Sequence, residues 1–486
     1  MKPTFYVTTP IYYVNDKPHI GHAYSTLLAD CLSRWHGAQG EETFFSVGTD
    51  EHGAKIAEAA AKAGKKPEVF VDEVSAEFQT AWKALNIEAS DFIRTTEERH
   101  KTVVVSFMNK LKADGHVYEG EYEGMYCVGC ERFYTERELN EKGECPDHKR
   151  KPKLIKEKNW FFKLQPFVSE IIRDIESGKM EMYPEKRKNE VLSVLRGGIE
   201  DFSVSRQNVA WGIPLPFDTK QNIYVWVEAL QNYISVLGYN ADEARQGANF
   251  KKFWPANVQV LGKDISKFHC IFWPALLKAA GLRVSKRFLI TGFFTVDGQK
   301  MSKTLGNVID PNDLVAKFGA DGARYLILAQ FAVGEDGDIK AEKFVEKYNA
   351  DLANNIGNLV SRVATMATKY CAGVVAATKF RKNIGEYKKS FAKAMEQGQV
   401  YDAIEAVIQC AASVNKAIEV YKPWEKAKDE AHSSELKKMV STWVGEVAEI
   451  GTMLAPFTPE AAAKITQAFA DPNHIHNPGI LFPKIK

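Results

Sequence analysis

The opening of the chain leaves few folds available to it. An apolar run, Phe5 to Val7, passes into a polar loop. His19-Ile20-Gly21-His22 then opens a stretch in which Leu27, Leu28, Cys31, Leu32 and Trp35 recur at helical spacing. That pattern predicts a strand–loop–helix unit with its polar group at the helix N-terminus, where orphan N–H groups and the helix dipole favour phosphate. Gly21 lacks the Cβ that would hinder close approach of a nucleotide, and His19 and His22 can offer donors to a phosphoryl group in transit. Much later, Lys300-Met301-Ser302-Lys303-Thr304 follows the Gly-flanked loop Asp297-Gly298-Gln299, and its two lysines suit a leaving pyrophosphate. Alone, the first segment reads equally as a helix cap and the second as a solvated face. Their order and their placement on matching elements point to nucleotide chemistry.

Alternating strand and helix character continues through residues 1–115. Glu42 to Gly48 is a buried-strand pattern that ends in Thr49-Asp50-Glu51-His52-Gly53, and polar residues at the carboxyl end of a parallel strand are where open α/β sheets bind ligands. A helix is predicted over Ala54 to Ala63. Residues 116–200, rich in aromatics, cysteines and charged turns, read as an insertion. The α/β pattern returns over 201–344, with strands expected at Tyr224-Val225-Trp226-Val227, at Val258 to Leu261 and at Phe288 to Gly292. From 345 to 486 the reading is helical and bundle-like, with helices over Asn354 to Tyr370, Tyr387 to Gln397, Tyr401 to Tyr421 and Ser434 to Met453. The tail from Asp471 to Lys486 is expected to be a surface strap, and Lys379, Arg381, Lys382, Lys388 and Lys389 form the one local basic patch.

With 486 residues, 45% hydrophobic and 26% charged, the composition is that of a globular protein of several domains rather than a disordered chain. A formal net charge of +2 places any nucleic-acid contact in local patches rather than in a whole-molecule field. The sequence shows no apolar run of membrane-spanning length and no signal-peptide pattern, so a cytoplasmic location and no membrane partner are expected.

Seven cysteines do not suggest a disulfide framework. Cys127-Val128-Gly129-Cys130 and Cys145-Pro146-Asp147-His148 instead form two ligand pairs. Cys127, Cys130, Cys145 and His148 have the spacing of a closed structural Cys₃His zinc site with no open position for catalysis. Free cysteines beside a surface histidine are the other reading.

Together, the His19–His22 and Lys300–Thr304 segments resemble the paired ATP-handling motifs of class I aminoacyl-tRNA synthetases, and the whole chain resembles the methionyl-tRNA synthetase family in its form with one zinc knuckle. The resemblance implies a Rossmann-like doubly wound parallel sheet as catalytic domain, residues 1–115 and 201–344. It also implies a zinc-binding connective insertion at 116–200 and a helical-bundle anticodon-binding domain at 345–486. It further implies that His19, His22, Lys300 and Lys303 are catalytic, and that Gly21 and Ser302 join them in holding ATP with Mg²⁺. A methionine pocket would comprise Ile11, Tyr13, Asp50, Trp226, Ala229, Leu230, Tyr233 and His269, with Asp50 facing the substrate ammonium and His269 near the sulfur. An unbranched thioether packs well against such aromatic walls. Asn358-Leu359-Val360-Ser361-Arg362 and Pro423-Trp424 match the family's anticodon reader, so Asn358, Arg362 and Trp424 are expected to contact initiator and elongator methionine tRNAs.

Two positions depart from the family pattern. Leu230 stands where proline is frequent, and Thr304 where the broad class has serine. Because the sequence stops at Lys486, without the appended tRNA-binding domain through which many relatives dimerise, a monomer is expected. Two rival functions use the same residues: a small-molecule nucleotidyltransferase of related core, and a non-catalytic tRNA-binding relative. Neither accounts for a zinc insertion, a helical C-terminal domain and four intact motif residues together.

Overall fold

Phe5, Tyr6 and Val7 are all buried in the strand Thr4–Thr8, as expected of a continuous apolar run in a parallel sheet covered on both faces. The computed structural model describes residues 2–127, 132–134, 139–146, 149–207, 209–296, 298–301 and 307–486. Seven strands form the main sheet. Thr4–Thr8 pairs with Glu42–Asp50 on one side and Val258–Gly262 on the other. Tyr12–Tyr13 and Asp91–Arg94 also pair with Glu42–Asp50, while Arg287–Thr291 and Glu181–Tyr183 continue beyond Val258–Gly262, and every pairing is parallel. Strand order therefore reverses at Thr4–Thr8. Ligands of open α/β sheets bind beyond the carboxyl ends at such a switch point, and here those ends carry Tyr13 and Asp50. Gly48 is required by the close approach of neighbouring strands: a Cβ there would lie 2.1 Å from the Ile93 carbonyl oxygen.

This sheet belongs to one of two compact units, built from the chain up to Pro18, Glu41–Thr80 and Glu88–Thr291. Its core runs from Tyr6 and Phe107 through Phe162 and Leu192 to Trp273 and Ile290. Within it, Val117–Cys127 and Lys153–Phe162 form a long antiparallel ribbon.

The second unit comprises His19–Gly40, Ala81–Ile87 and Gly292–Lys486. Helices Asn358–Cys371, Lys382–Glu396, Val400–Tyr421, Ser433–Leu454 and Pro459–Phe469 bury Val363, Ala367, Val407, Val414, Val447 and Ile465 between them. A Cβ on Gly451 would lie 2.6 Å from Ile465 Cγ2, so glycine lets the last two helices approach. Arg381, one of the five basic-patch residues, is drawn inward to the buried Glu446 carboxylate by charge-assisted bonds of 2.8–3.1 Å. The fully buried Arg324 donates to Asp30 Oδ2 at 2.6 Å and to the carbonyls of Leu85, Pro456 and Phe457 at 3.2, 2.8 and 2.9 Å. That guanidinium ties the helix Ile20–Ala38 to the helical unit, and removing one partner of such a buried pair costs about 3–5 kcal/mol.

Two expectations change. Tyr224 to Val227 is not a strand: Val225–Ala229 is a one-turn helix capped by Tyr224. The bundle holds an additional helix, Pro459–Phe469, with Thr458 before it and proline at its first turn. The C-terminal strap is anchored by buried Ile475 and Phe482 and by a pair of bonds between Asn349 and Ile485 of 2.7 and 3.0 Å. Among the described residues no helix is long and apolar enough to cross a membrane.

Candidate active site

The helix Ile20–Ala38 begins with a cap made by two histidines. His19 Nδ1 accepts from the Gly21 N–H at 3.0 Å, and His22 Nδ1 accepts from the His19 N–H at 3.3 Å. The rings stack with centroids 3.8 Å apart. Because each Nδ1 is an acceptor, each neutral ring carries its proton on Nε2. Burial, and then the neighbouring His19, holds His22 well below the ordinary histidine range, so it stays neutral with its proton on Nε2.

The sequence pointed to orphan N–H groups as the phosphate site. The structure engages them: Ile20 N–H donates to the Ile309 carbonyl at 3.1 Å, Gly21 N–H to His19, and His22 N–H to the His19 carbonyl at 2.9 Å. The backbone N–H groups at this helix end are therefore already satisfied within the chain. Gly21 also has a local reason, since a Cβ would lie 2.9 Å from His19 Cε1, in the path of the folded-back ring.

The two motif segments meet in the second unit. The position of a Gly21 Cβ is 3.4 Å from Met301 Cε, and the Ile20–Ile309 bond ties the helix start to the chain beyond the lysine segment. Phe294–Val296 and Gln299–Lys300 pair as an antiparallel hairpin, not the plain loop expected. Asp338 holds its turn, accepting from the Gly298 N–H at 2.7 Å and the Thr295 hydroxyl at 2.9 Å. These bonds, Gly298 first, hold its carboxyl below the usual range. Lys300 lies at the end of this hairpin, while Ser302, Lys303 and Thr304 lie outside the described residues.

In the first unit, the strand ends bring the expected pocket residues together. Tyr13 is the direct register partner of Asp50, and Ile11 flanks Gly48, its Cγ2 3.0 Å from a Cβ built there. Trp226 stacks on Phe268 at 4.3 Å and meets the Tyr13 ring edge-on at 6.0 Å. Ala229 and Leu230 are buried at the end of the same one-turn helix.

His269 lies in a π-helical turn, Phe268–Phe272, a widening that often marks functional positions. Its Nδ1–H donates to the Ile265 carbonyl at 3.0 Å, and its Nε2 accepts from the Tyr233 hydroxyl at 2.8 Å. Burial pushes it down to about 4. With both nitrogens engaged and no charge, the ring is suited to an apolar ligand. Tyr233 is in turn held protonated by burial, while its carbonyl accepts from the Tyr6 hydroxyl at 2.9 Å.

Residue-type reasoning missed what lies behind Asp50. Glu51 is fully buried and accepts from Thr49 Oγ1 and Arg94 Nε, each at 2.7 Å, while its carbonyl accepts from Trp211 Nε1 at 2.6 Å. His52 Nδ1 is 2.7 Å from the buried Glu228 Oε1. The only sequence signal was the polar cluster Thr49 to Gly53 after an apolar strand.

Cys127 and Cys145 are buried and pack with Tyr134 in a small cluster of their own, the Cys145 thiol donating to the Tyr134 hydroxyl at 3.2 Å. Cys130 and His148 lie outside the described residues.

In the helical unit, Asn358 opens its helix beside an open groove of about 600 Å³ that Ser361, Asn477 and Lys484 also line. Arg362 Nη2 donates to Glu419 Oε1 at 2.6 Å. Trp424 is 43% exposed, two residues after the left-handed Lys422 (φ 53°).

The sequence model of the family described as tRNA synthetases class I (M) matches residues 5–151 and 148–364. A methionine–tRNA ligase of Thermotoga maritima is 38% identical over 495 aligned positions, covering 99% of this chain and 78% of that protein. One from Clostridium perfringens is 40% identical over 473, covering 96% and 73%. Among solved structures, Mycobacterium tuberculosis methionyl-tRNA synthetase in complex with methionyl-adenylate matches with a TM-score of 0.92 at 32% identity, over 99% of this chain and 100% of that one. The apo form of that enzyme matches with a TM-score of 0.86 at 28% identity.

Proposed function

The chain belongs to the methionine type of the class I tRNA synthetases, and from that premise we infer that it is a methionine–tRNA ligase. It joins methionine to ATP as methionyl-adenylate and then charges methionine tRNA. In the first step the methionine carboxylate attacks the α-phosphate and pyrophosphate leaves with its electron pair. In the second, a hydroxyl of the tRNA's terminal adenosine attacks the acyl carbon and AMP leaves. The observation that carries this reading is the meeting of the two ATP motifs at Gly21 and Met301, with both histidines capped so that their Nε2 donors are set.

The roles of individual residues are part of the proposal. His19 and His22 stabilise the phosphoryl centre as neutral donors, with Gly21 beneath them. Lys300 and Lys303 neutralise the departing phosphates, and Ser302 joins them in holding ATP, which Mg²⁺ accompanies. No side chain need act as nucleophile, because positioning and preorganised charge supply the acceleration. Asp50 takes the methionine ammonium. Ile11, Tyr13, Trp226, Ala229, Leu230, Tyr233 and His269 enclose the side chain, an arrangement that suits an uncharged thioether.

Residues 1–115 and 201–344 would supply the catalytic domain and 116–200 the connective insertion, whose structural zinc Cys127, Cys130, Cys145 and His148 would hold. Residues 345–486 would read the anticodon through Asn358, Arg362 and Trp424, in initiator and elongator tRNAs alike. A cytoplasmic location accords with that role. The test is charging itself: the purified chain should esterify labelled methionine to methionine tRNA transcripts, and failure with every methionine tRNA while the protein is folded would refute the reading.

A further inference from the structure

The pair His52–Glu228 joins the two sides of the proposed methionine pocket from behind. Both side chains are at most 3% exposed, and their 2.7 Å contact bridges residues 176 positions apart. His52 follows Asp50 and Glu51 at the end of Glu42–Asp50. Glu228 sits on the helix Val225–Ala229, which carries Trp226 and Ala229.

These two supports differ in rigidity. The strand end is pinned at Glu51, whose carboxylate accepts from Thr49, Arg94 and Thr96, whose N–H donates to Thr95 Oγ1 at 2.9 Å, and whose carbonyl accepts from Trp211. The helix is a single turn with no side-chain cap, too short to hold its own orientation. Glu228 Oε2 is buried and has no hydrogen-bond partner among the described residues. A half-satisfied buried carboxylate opposes stability, and an apolar residue of similar size would serve packing better. Its use then lies in the bond it makes to His52.

We propose that His52 and Glu228 are positioning residues: their bond fixes the Trp226–Leu230 wall relative to Asp50 and so sets methionine affinity, without either side chain touching the substrate. This rests on reading Asp50 and Trp226 as methionine contacts.

The test is ATP–pyrophosphate exchange on the full chain, varying methionine and ATP separately, with melting measured on each variant. Glu228→Ala and His52→Ala should raise the KM for methionine about 10- to 100-fold, the scale of an ångström misplacement, while the KM for ATP stays within about twofold. His52→Asn keeps a donor at the Nδ1 position and Glu228→Gln keeps an acceptor, so both should lie within about fivefold of wild type. Should the alanine variants unfold, the paired substitution His52→Leu with Glu228→Met removes both polar groups. That pair should melt near wild type and still show the raised methionine KM.

Folded alanine variants with unchanged methionine KM would overturn the proposal. So would a wild-type methionine KM in the paired variant. Asp50→Ala separates the two layers: if it leaves methionine KM unchanged, the pocket reading itself fails. If it raises methionine KM while the His52 and Glu228 variants do not, only the positioning role fails.

Discussion

On the proposed reading His22 has two tasks for two different nitrogens, and one substitution separates them. Nδ1 accepts the His19 N–H at 3.3 Å and closes the helix cap, which leaves Nε2–H as the donor. His22→Ala removes both. The cap is worth about 1 kcal/mol, and losing one preorganised transition-state donor costs about 2.7–4 kcal/mol, or roughly 10²–10³ in rate. Asparagine places its amide oxygen where Nδ1 stands and has nothing at the Nε2 position. His22→Asn should therefore keep the melting temperature near wild type while adenylate formation, read by pyrophosphate exchange at saturating methionine and ATP, falls by at least about 10². His22→Ala should lose a similar amount of rate and melt lower. The neutral state of His22 adds a second readout: the wild-type rate should show no loss from His22 deprotonation as pH rises through 6.5, because its folded value lies well below that. Exchange within a few-fold of wild type in His22→Asn would refute the donor assignment and leave His22 as a cap alone.

Three further outcomes are expected. The purified protein should hold about one zinc per chain by elemental analysis, Cys130→Ser should lose it, and a metal-free native protein of full activity would remove the knuckle. Trp424→Ala and Arg362→Ala should retain pyrophosphate exchange yet raise the apparent KM for tRNA, since a stacked base is worth about 1–3 kcal/mol; unimpaired charging by both would sink the anticodon assignment. Acid should destabilise the fold through its buried histidines. Burial lowers His100 to about 3 and His269 to about 4, so below about pH 6.5 the unfolded chain binds protons that the folded one refuses. Each then costs about 1.4 kcal/mol per pH unit. His100→Asn, which can keep the bond to Ser235, should flatten the fall in urea midpoint between pH 6.5 and 5, and an unchanged slope would contradict this.

Much of the architecture was legible because it rests on periodicity. The buried strand at Phe5 to Val7 and the helix through Leu27, Cys31 and Trp35 follow from spacing alone, as do four of the bundle helices. The misreading at Tyr224 to Val227 has a plain cause: a four-residue apolar run with two valines fits a strand or a helical turn, and only the tertiary bond from Glu228 to His52 and the Trp226–Phe268 stack decide for the turn. The π-helical turn at His269 left no trace in the spacing, which a one-residue widening barely disturbs. A helix cap was one reading of His19–His22, but histidine side chains rarely serve as caps, so the reciprocal bonds of both rings could not be read from residue preference. The grouping of His19–Gly40 and Ala81–Ile87 with the chain beyond Gly292 depends on Arg324 reaching Asp30 and the carbonyl of Leu85, contacts between segments too distant for local pattern to reveal.

The central claim, that the chain activates methionine, is tested most directly by ATP–pyrophosphate exchange run with each of the twenty amino acids in turn. Methionine should drive exchange far above every other amino acid, with no exchange in its absence. Exchange driven best by a different amino acid, or none with methionine in a folded, zinc-loaded preparation, would contradict the account.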